Sequence, residues 1–349
     1  MTSGPVITVL GPVDPAVIGP TSMHDHVFSD TAKAWWSPSS FEDLALTEEP
    51  LDTWNSGLAR WNALGIRDNL ILAPAEYDHQ SREVGEFAAA GGNCLVDLTN
   101  VGLSPAPGLL ARLSRDLGIH IVAGCGFYVH PTHPEWLERA TVDEIAAAIL
   151  RSVTDGIDGT EVRPGIIGEI GTSGELYECE ERVLRAAAAA GSEAGMAVYV
   201  HTTATGRHAA RILDLVEDEG LPPERLVYAH LDEALDVDYH RRVLDRGAVI
   251  GFDGFGADMY FGRLWKGPSD LEKMNGLVAL LELGYENQLV LGQDVSLKSQ
   301  LRRFGGLGYD HVLRRVAPAL KRDFSVGEGT LRKLLVDNPR RILAQVGSS

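Results

Sequence analysis

Cysteine is scarce in this chain: Cys94, Cys125 and Cys179 are the only three among 349 residues, and no two form a CxxC pair. An odd, scattered set of thiols excludes a disulfide scaffold and fits a reducing cytoplasm. Long apolar runs are missing too. No stretch reaches the roughly 18 uncharged apolar residues of a membrane span. The opening "MTSGPVITVL" has neither the basic region nor the apolar block of a signal peptide. Positive charge is in deficit, since 31 Lys and Arg face 49 Asp and Glu, for a formal charge of −18 and a pI near 5.0. Such a surface repels nucleic acid and anionic membrane, so neither is expected as a partner. No low-complexity block or linker breaks the chain, and residues 1–349 read as one domain with a large core, 44% of residues being hydrophobic.

What the chain does have is a recurring pattern: a short apolar run, a polar tip, then an Ala- or Leu-rich amphipathic stretch. The runs are "TSMHDHVF" (21–28), "NCLVDLT" (93–99), "IHIVAGC" (119–125), "GIIGEIG" (165–171), "MAVYVHT" (196–202), "RLVYAHL" (225–231), "AVIGFDG" (248–254) and "QLVLGQD" (288–294). Stretches such as "TVDEIAAAILRSV" (141–153) and "ECEERVLRAAAAAGSEAG" (178–195) lie between them. Near-continuous apolar strands alternating with helices indicate a parallel sheet covered on both faces. Eight of them predict a (β/α)8 TIM barrel. The runner-up is an open doubly wound sheet, against which stands the absence of a Gly-rich dinucleotide fingerprint after the first run. The segment 1–20 reads as a hairpin capping the barrel. Residues 29–92 are long for one βα connection and are expected to carry extra helices.

The polar tips carry the chemistry. Run one ends in "HDH", giving His24 and His26, which share a face because side chains alternate along a strand. Glu169, His201, His230 and Asp294 stand at the tips of runs four, five, six and eight. All six lie at C-terminal strand ends, where such barrels place their active sites. Four imidazoles and two carboxylates form the donor set of a two-cation site; imidazole suits zinc, and Glu169 is placed to bridge two ions. A single histidine at a strand end is more often packed and hydrogen-bonded, and His79, His120, His130, His133, His208, His240 and His311 are read that way. Asp97 and Asp253, also within strand-like runs, are read as structural acids or supports of the ligands. Thr172 and Ser173 follow Glu169 and are read as turn residues, with no histidine base placed beside them.

"GPTSMHDHV", "GIIGEIGTSG", "VYVHTTATG", "LVYAHLDE", "LVLGQD", "FGGLGYDHV" and "DNPRRIL" arrive in the order of the phosphotriesterase family of the amidohydrolase superfamily, and over nearly its whole length the chain resembles that family. The resemblance implies that His24, His26 and Asp294 hold a more buried metal ion, that His201 and His230 hold a more exposed one, and that the strand-four residue bridges them. Many relatives bridge with a carboxylated lysine. No lysine occurs here between Lys33 and Lys266, so Glu169 takes that place, as in the subgroup resembling the phosphotriesterase homology protein. Two departures bear on the pocket: Asp25 stands where many relatives have Glu, and "VGLSPAP" lacks an arginine often found after the second strand.

The resemblance implies a metal-dependent hydrolase in which a water shared by two divalent ions attacks and Asp294 carries the proton. A lactone or carboxylic ester of a small polar or sugar-derived molecule is the expected substrate. Phosphotriester or amide hydrolysis on the same site is the alternative, and a non-catalytic metal-containing binding protein is a third reading. Tyr128 matches an aromatic near the metals in lactone-hydrolysing members and equally reads as a packed aromatic. Arg263, Lys266, Lys298 and Arg302 sit in or near the last two βα loops, where barrels often bind phosphate; ordinary surface cations are the plain reading of each. "KAWWSPSS" places Trp35 and Trp36 on a loop that is local packing, a homodimer contact or a cover over the site.

Overall fold

Each apolar run becomes one strand because Val, Ile and Leu fill both of its faces, one toward the barrel axis and one toward the helices. In the computed structural model, which describes residues 3–35, 48–261 and 265–347, the strands are β1 (Thr21–Asp25), β2 (Cys94–Asp97), β3 (His120–Cys125), β4 (Ile166–Ile170), β5 (Val198–Val200), β6 (Leu226–Tyr228), β7 (Val249–Phe252) and β8 (Leu289–Leu291). They form one sheet in chain order and pair in parallel. The sheet closes past the end of β8. There Gln293 and Asp294 donate backbone N–H groups to His24 O at 3.2 and 3.0 Å, and His26 N donates to Val295 O at 3.0 Å. The fold is the (β/α)8 TIM barrel, and its seam lays Asp294 against His24.

Helices α1 (Tyr77–Ala89), α2 (Pro107–Leu117), α3 (Val142–Asp155), α4 (Glu178–Ala194), α5 (Ala209–Asp218), α6 (Val237–Leu244), α7 (Asp270–Glu282) and α8 (Ala317–Asp323) follow the strands. α3 starts at a capping box, Thr141 with Glu144. In α4 the alanine run pays little side-chain entropy and packs flat on the barrel, with Ala186, Ala187, Ala188 and Ala190 fully buried. Three glutamates in its first turn oppose the helix dipole. Gly195 ends it at φ +64, and a Cβ there would lie 1.9 Å from Val346 O.

The barrel interior is apolar toward its floor. Met23, Val96, Val122, Ile166, Val227 and Val290 pack together, and Val6 and Ile342 close the bottom. Val6 comes from the N-terminal hairpin, Ser3–Thr8 with Gly11–Val13. The C-terminal strand Ala344–Val346 pairs antiparallel with its first arm. The connection from β1 to β2 holds more than helices: Ser29–Asp30 and Ile71–Leu72 form a two-strand antiparallel ladder. With Thr31 N donating to Leu70 O at 3.0 Å, this ladder brings the one-turn helix Ala32–Trp35 over the barrel mouth.

Candidate metal centre

Side-chain alternation along β1 brings His24 and His26 to one point, their Nε2 atoms 3.3 Å apart. Asp25, between them, turns away, accepting from Ser22 Oγ at 2.5 Å and Val295 N at 3.1 Å. Its burial pushes its carboxyl up to about 7. It is part of the seam, not of the centre.

Glu169, at the end of β4 and 1% exposed, divides its oxygens. Oε1 lies 2.8 Å from His201 Nδ1 and 3.0 Å from His230 Nε2. Oε2 lies 3.6 Å from His24 Nε2 and 3.8 Å from His26 Nε2. Asp294 Oδ1 lies 3.4 Å from His26 Nε2 and 3.7 Å from His24 Nε2. The six residues named from the strand tips therefore meet in one cluster. Within it, ligand atoms of His24, His26 and Asp294 lie within 4.8 Å of one another, as do those of His24, Glu169 and His230.

Asp253, at the tip of β7, organises the ring. Its Oδ2 accepts from His24 Nδ1 and Tyr199 OH, both at 2.9 Å, and its Oδ1 from the ring Nδ1 and backbone N of His230 at 3.0 and 2.9 Å. A carboxylate at Nδ1 fixes the proton there and leaves each Nε2 lone pair facing the centre, the arrangement that orients metal-binding histidines. Thr99 Oγ1 lies 2.9 Å from His26 Nδ1 and can accept an N–H there. Asp97 fixes that corner by accepting from Val27 N at 2.7 Å and Thr99 N at 3.0 Å. Reading by strand tips missed Thr99; its only signal was its place at the end of "NCLVDLT".

The charges fit a cation. Burial alone would lower His24, yet Glu169 and Asp253 raise it to about 10. Burial would likewise lower His230, and Asp253 and Glu169 raise it far above its ordinary value. Burial would raise Glu169, and the imidazoles of His24 and His201 hold it well below the carboxylate range. Buried carboxylates thus demand positive charge at this point, and imidazole lone pairs are aimed at it. His201 Nε2 is buried with no hydrogen-bond partner. Imidazole nitrogens with carboxylate oxygens suit zinc and related divalent ions, so the residues present fit such a group.

A cavity of about 250 Å³ opens from the centre. Trp35, Leu64, Leu70, Leu103, Tyr128, Phe261, Trp265 and Leu297 supply its apolar walls, and Thr202, Thr203, Thr205 and Glu233 its polar ones. The Tyr128 hydroxyl lies 3.3 Å from His201 Nδ1. Burial, with the charges of Glu169 and Asp294, holds its pKa well above the ordinary phenol value. Trp35 covers the site, its ring centroid 5.8 Å from that of His201 and 6.2 Å from that of Tyr128. Trp36 and Arg263 lie outside the described residues.

Of the loop cations, Lys266, Lys298 and Arg302 are not among the described lining residues. Lys298 is buried and spent on Asp68 and Glu76, at 2.8 and 3.2 Å. Arg302 is paired with Glu86 and Asp310. Lys266 is exposed and donates to Gly267 O. Thr172 Oγ1 donates to His201 O at 2.6 Å and Ser173 Oγ to Glu180 Oε1 at 2.7 Å, so both hold the loop after β4. His133, His240 and His311, read as packed, hydrogen-bond Tyr128 O, Leu231 O and Asp270. Cys94 and Cys125 are buried, which pushes each thiol up to about 12.

A parallel eight-strand barrel with imidazoles and carboxylates converging at its C-terminal mouth is the frame of an amidohydrolase-type enzyme. This chain belongs to the phosphotriesterase family, whose profile matches residues 4–343, and it is a hydrolase of that family. The N-acetyltaurine hydrolase of Tetraodon nigroviridis is 33% identical over 98% of this chain and 98% of its own length. Among solved structures, a resiniferatoxin-binding protein from Rhodobacter sphaeroides matches with a TM-score of 0.93 at 34% identity, covering 98% of this chain and 95% of that one. The phosphotriesterase homology protein from Escherichia coli, solved with phosphate in its active site, matches with a TM-score of 0.78 at 26% identity over 95% and 100% of the two chains. No helix among the described residues is long and apolar enough to cross a membrane.

Proposed function

We propose that the protein is a divalent-metal-dependent hydrolase of carboxylic acyl bonds, with small N-acyl amides as its first substrates and esters or lactones as its second. The observation that carries this reading is the division of Glu169 between two pairs of imidazoles, with Asp294 beside the inner pair. Two such ions, zinc by their donor set, supply when bound a water that is nucleophilic at neutral pH and a Lewis acid at the scissile oxygen. His24, His26 and Asp294 would hold the inner ion, His201 and His230 the outer, and Glu169 both.

The chain's own residues do the rest. Asp253 and Thr99 hold the histidine rings in their ligating tautomers. Asp294, the half-exposed carboxylate of the cluster, accepts the proton of the attacking water at the oxygen not turned to His24 and His26 and returns it to the departing nitrogen or oxygen. Tyr128 keeps its proton and donates a hydrogen bond toward the substrate oxygen. Trp35 keeps bulk water off His201.

The amide reading is supported by the relatives named as N-acetyltaurine hydrolases. The ester or lactone reading is supported by the largely apolar cavity walls. Phosphotriester hydrolysis would be a side activity. The working compartment is taken to be the cytoplasm, where three unpaired thiols persist, and a homodimer is to be tested by light scattering.

The test is elemental analysis of protein never exposed to chelator, followed by a panel of amides, esters, lactones and phosphotriesters on zinc-loaded protein. Close to two ions per chain, and acyl turnover that chelation removes and zinc restores, are expected. Bound metal with no turnover on any class would point to a metal-containing binding protein, and absence of metal would overturn the reading outright.

A further inference from the structure

The described walls of the cavity are apolar or acidic. Among the described lining residues there is no lysine or arginine. The charged side chains among those described residues, besides the histidines, are Glu169 and Asp294, which belong to the centre, and Glu233. Glu233 sits in the short turn Leu231–Glu233 directly after His230. It is half-buried, and no described residue donates a hydrogen bond to its carboxyl. Lys298, the basic side chain nearest in sequence to Asp294, is neutralised by Asp68 and Glu76. The hydroxyls of Thr203 and Thr205 are neutral, and Thr203 Oγ1 is buried without a partner. Trp35, Leu64, Leu70, Leu103, Phe261 and Trp265 make the remaining surface apolar.

An anionic group entering this cavity would lose its hydration against apolar carbon, which is costly, and it would meet in Glu233 a carboxyl whose own charge burial already disfavours, its pKa pushed up to about 8. A neutral body with an N–H or O–H donor, or a cationic head, would satisfy Glu233 instead. An acceptor on the cavity wall that no described residue pairs favours the ligand that pairs it. We propose that the substrate is an uncharged or cationic acyl compound with an apolar body whose hydrogen-bond donor meets Glu233, and that the chain disfavours anionic amides such as the sulfonate for which its curated relatives are named. This rests on the hydrolase reading of the same site. It makes Glu233 a specificity-determining residue with no part in holding the metal.

The experiment uses three N-acetyl amines of matched size: N-acetyltaurine as the anion, N-acetyl-2-(methylsulfonyl)ethylamine as the neutral analogue, and N-acetylethylenediamine as the cation. Values of kcat/KM are measured on zinc-loaded wild type and Glu233→Gln. Binding of each compound to the Asp294→Asn protein is measured by titration calorimetry. The neutral and cationic amides should exceed the sulfonate by about tenfold or more, in turnover and in binding. Glu233→Gln should shrink the cation-over-anion ratio by a similar factor, chiefly through KM. A role in stability alone would lower the melting temperature and leave the ratio unchanged, which would overturn the assignment of Glu233. A preference for the sulfonate, whether or not Arg263→Gln removes it, would overturn the proposal as a whole. Should wild type hydrolyse none of the three nor any ester or lactone, the hydrolase reading fails, and the calorimetric order still decides this one.

Discussion

Asp253 holds His230 twice, its Oδ1 receiving the backbone N–H at 2.9 Å and the ring Nδ1 at 3.0 Å. The other oxygen of the same carboxylate holds His24. One acid from β7 therefore aims a histidine from each half of the centre, and it stabilises His230 at a left-handed φ of 61° that few non-glycine residues adopt. Asp253→Asn keeps the shape but turns an NH2 toward one Nδ1, forcing that ring to lose its N–H. Supporting carboxylates of this kind are worth about 10–100-fold in metal affinity or activity. Competition with a chelator should show a loss of that order, and affinity equal to wild type would leave Asp253 with a packing role only.

Asp294→Asn tests the proton carrier. The amide still offers an oxygen to a cation but accepts no proton. Turnover should fall by about 10²–10⁴-fold while thermal stability and metal content stay close to wild type. Full activity with metal bound would remove Asp294 from the mechanism.

Glu169→Gln tests the bridge. A neutral amide removes the charge that reconciles two cations and can turn an NH2 toward His201 and His230 where two anionic oxygens stood. Metal content should drop below two per chain, first on the His201 and His230 side, and the melting temperature should become sensitive to added zinc. If the variant held two ions through dialysis and turned over normally, Glu169 would be a structural acid and not a bridge.

Glu180 tests the loop that follows the bridge. It is fully buried in α4 and accepts from His130 N at 2.9 Å, Ser173 N at 3.0 Å, Ser173 Oγ at 2.7 Å and Tyr177 N at 3.3 Å. Glu180→Ala strands those donors and should cost about 3 kcal/mol, read as a lowered urea midpoint. Glu180→Gln, which retains an acceptor oxygen, should lose less. Equal losses in the two variants would mean that packing volume, and not the hydrogen bonds, fixes the loop.

Much of this was legible in the residues alone. Strands with apolar side chains on both faces announced a parallel sheet, and their count announced the barrel. Alternation along β1 set His24 and His26 on one side with Asp25 on the other. Position at strand tips assembled the other ligands, because in a closed barrel every C-terminal tip points to one mouth. The lysine-free stretch from Lys33 to Lys266 ruled out a lysine carbamate on strand four and left Glu169 in its place. None of these needed knowledge of a contact distant in sequence. The remaining features did. Asp97 and Asp253 look alike at strand ends, and only the cross-barrel distances separate an acid that pins backbone from one that aims two histidines. Lys298 reads as a loop cation until Asp68 and Glu76, more than 220 residues earlier, are found against its ammonium. Trp35 becomes a cover for His201 only because the ladder of Ser29–Asp30 with Ile71–Leu72 sets its helix there. A side chain's local direction follows from backbone periodicity, which sequence carries. Its partner follows from where independent loops are packed, and that is decided only when the whole barrel closes.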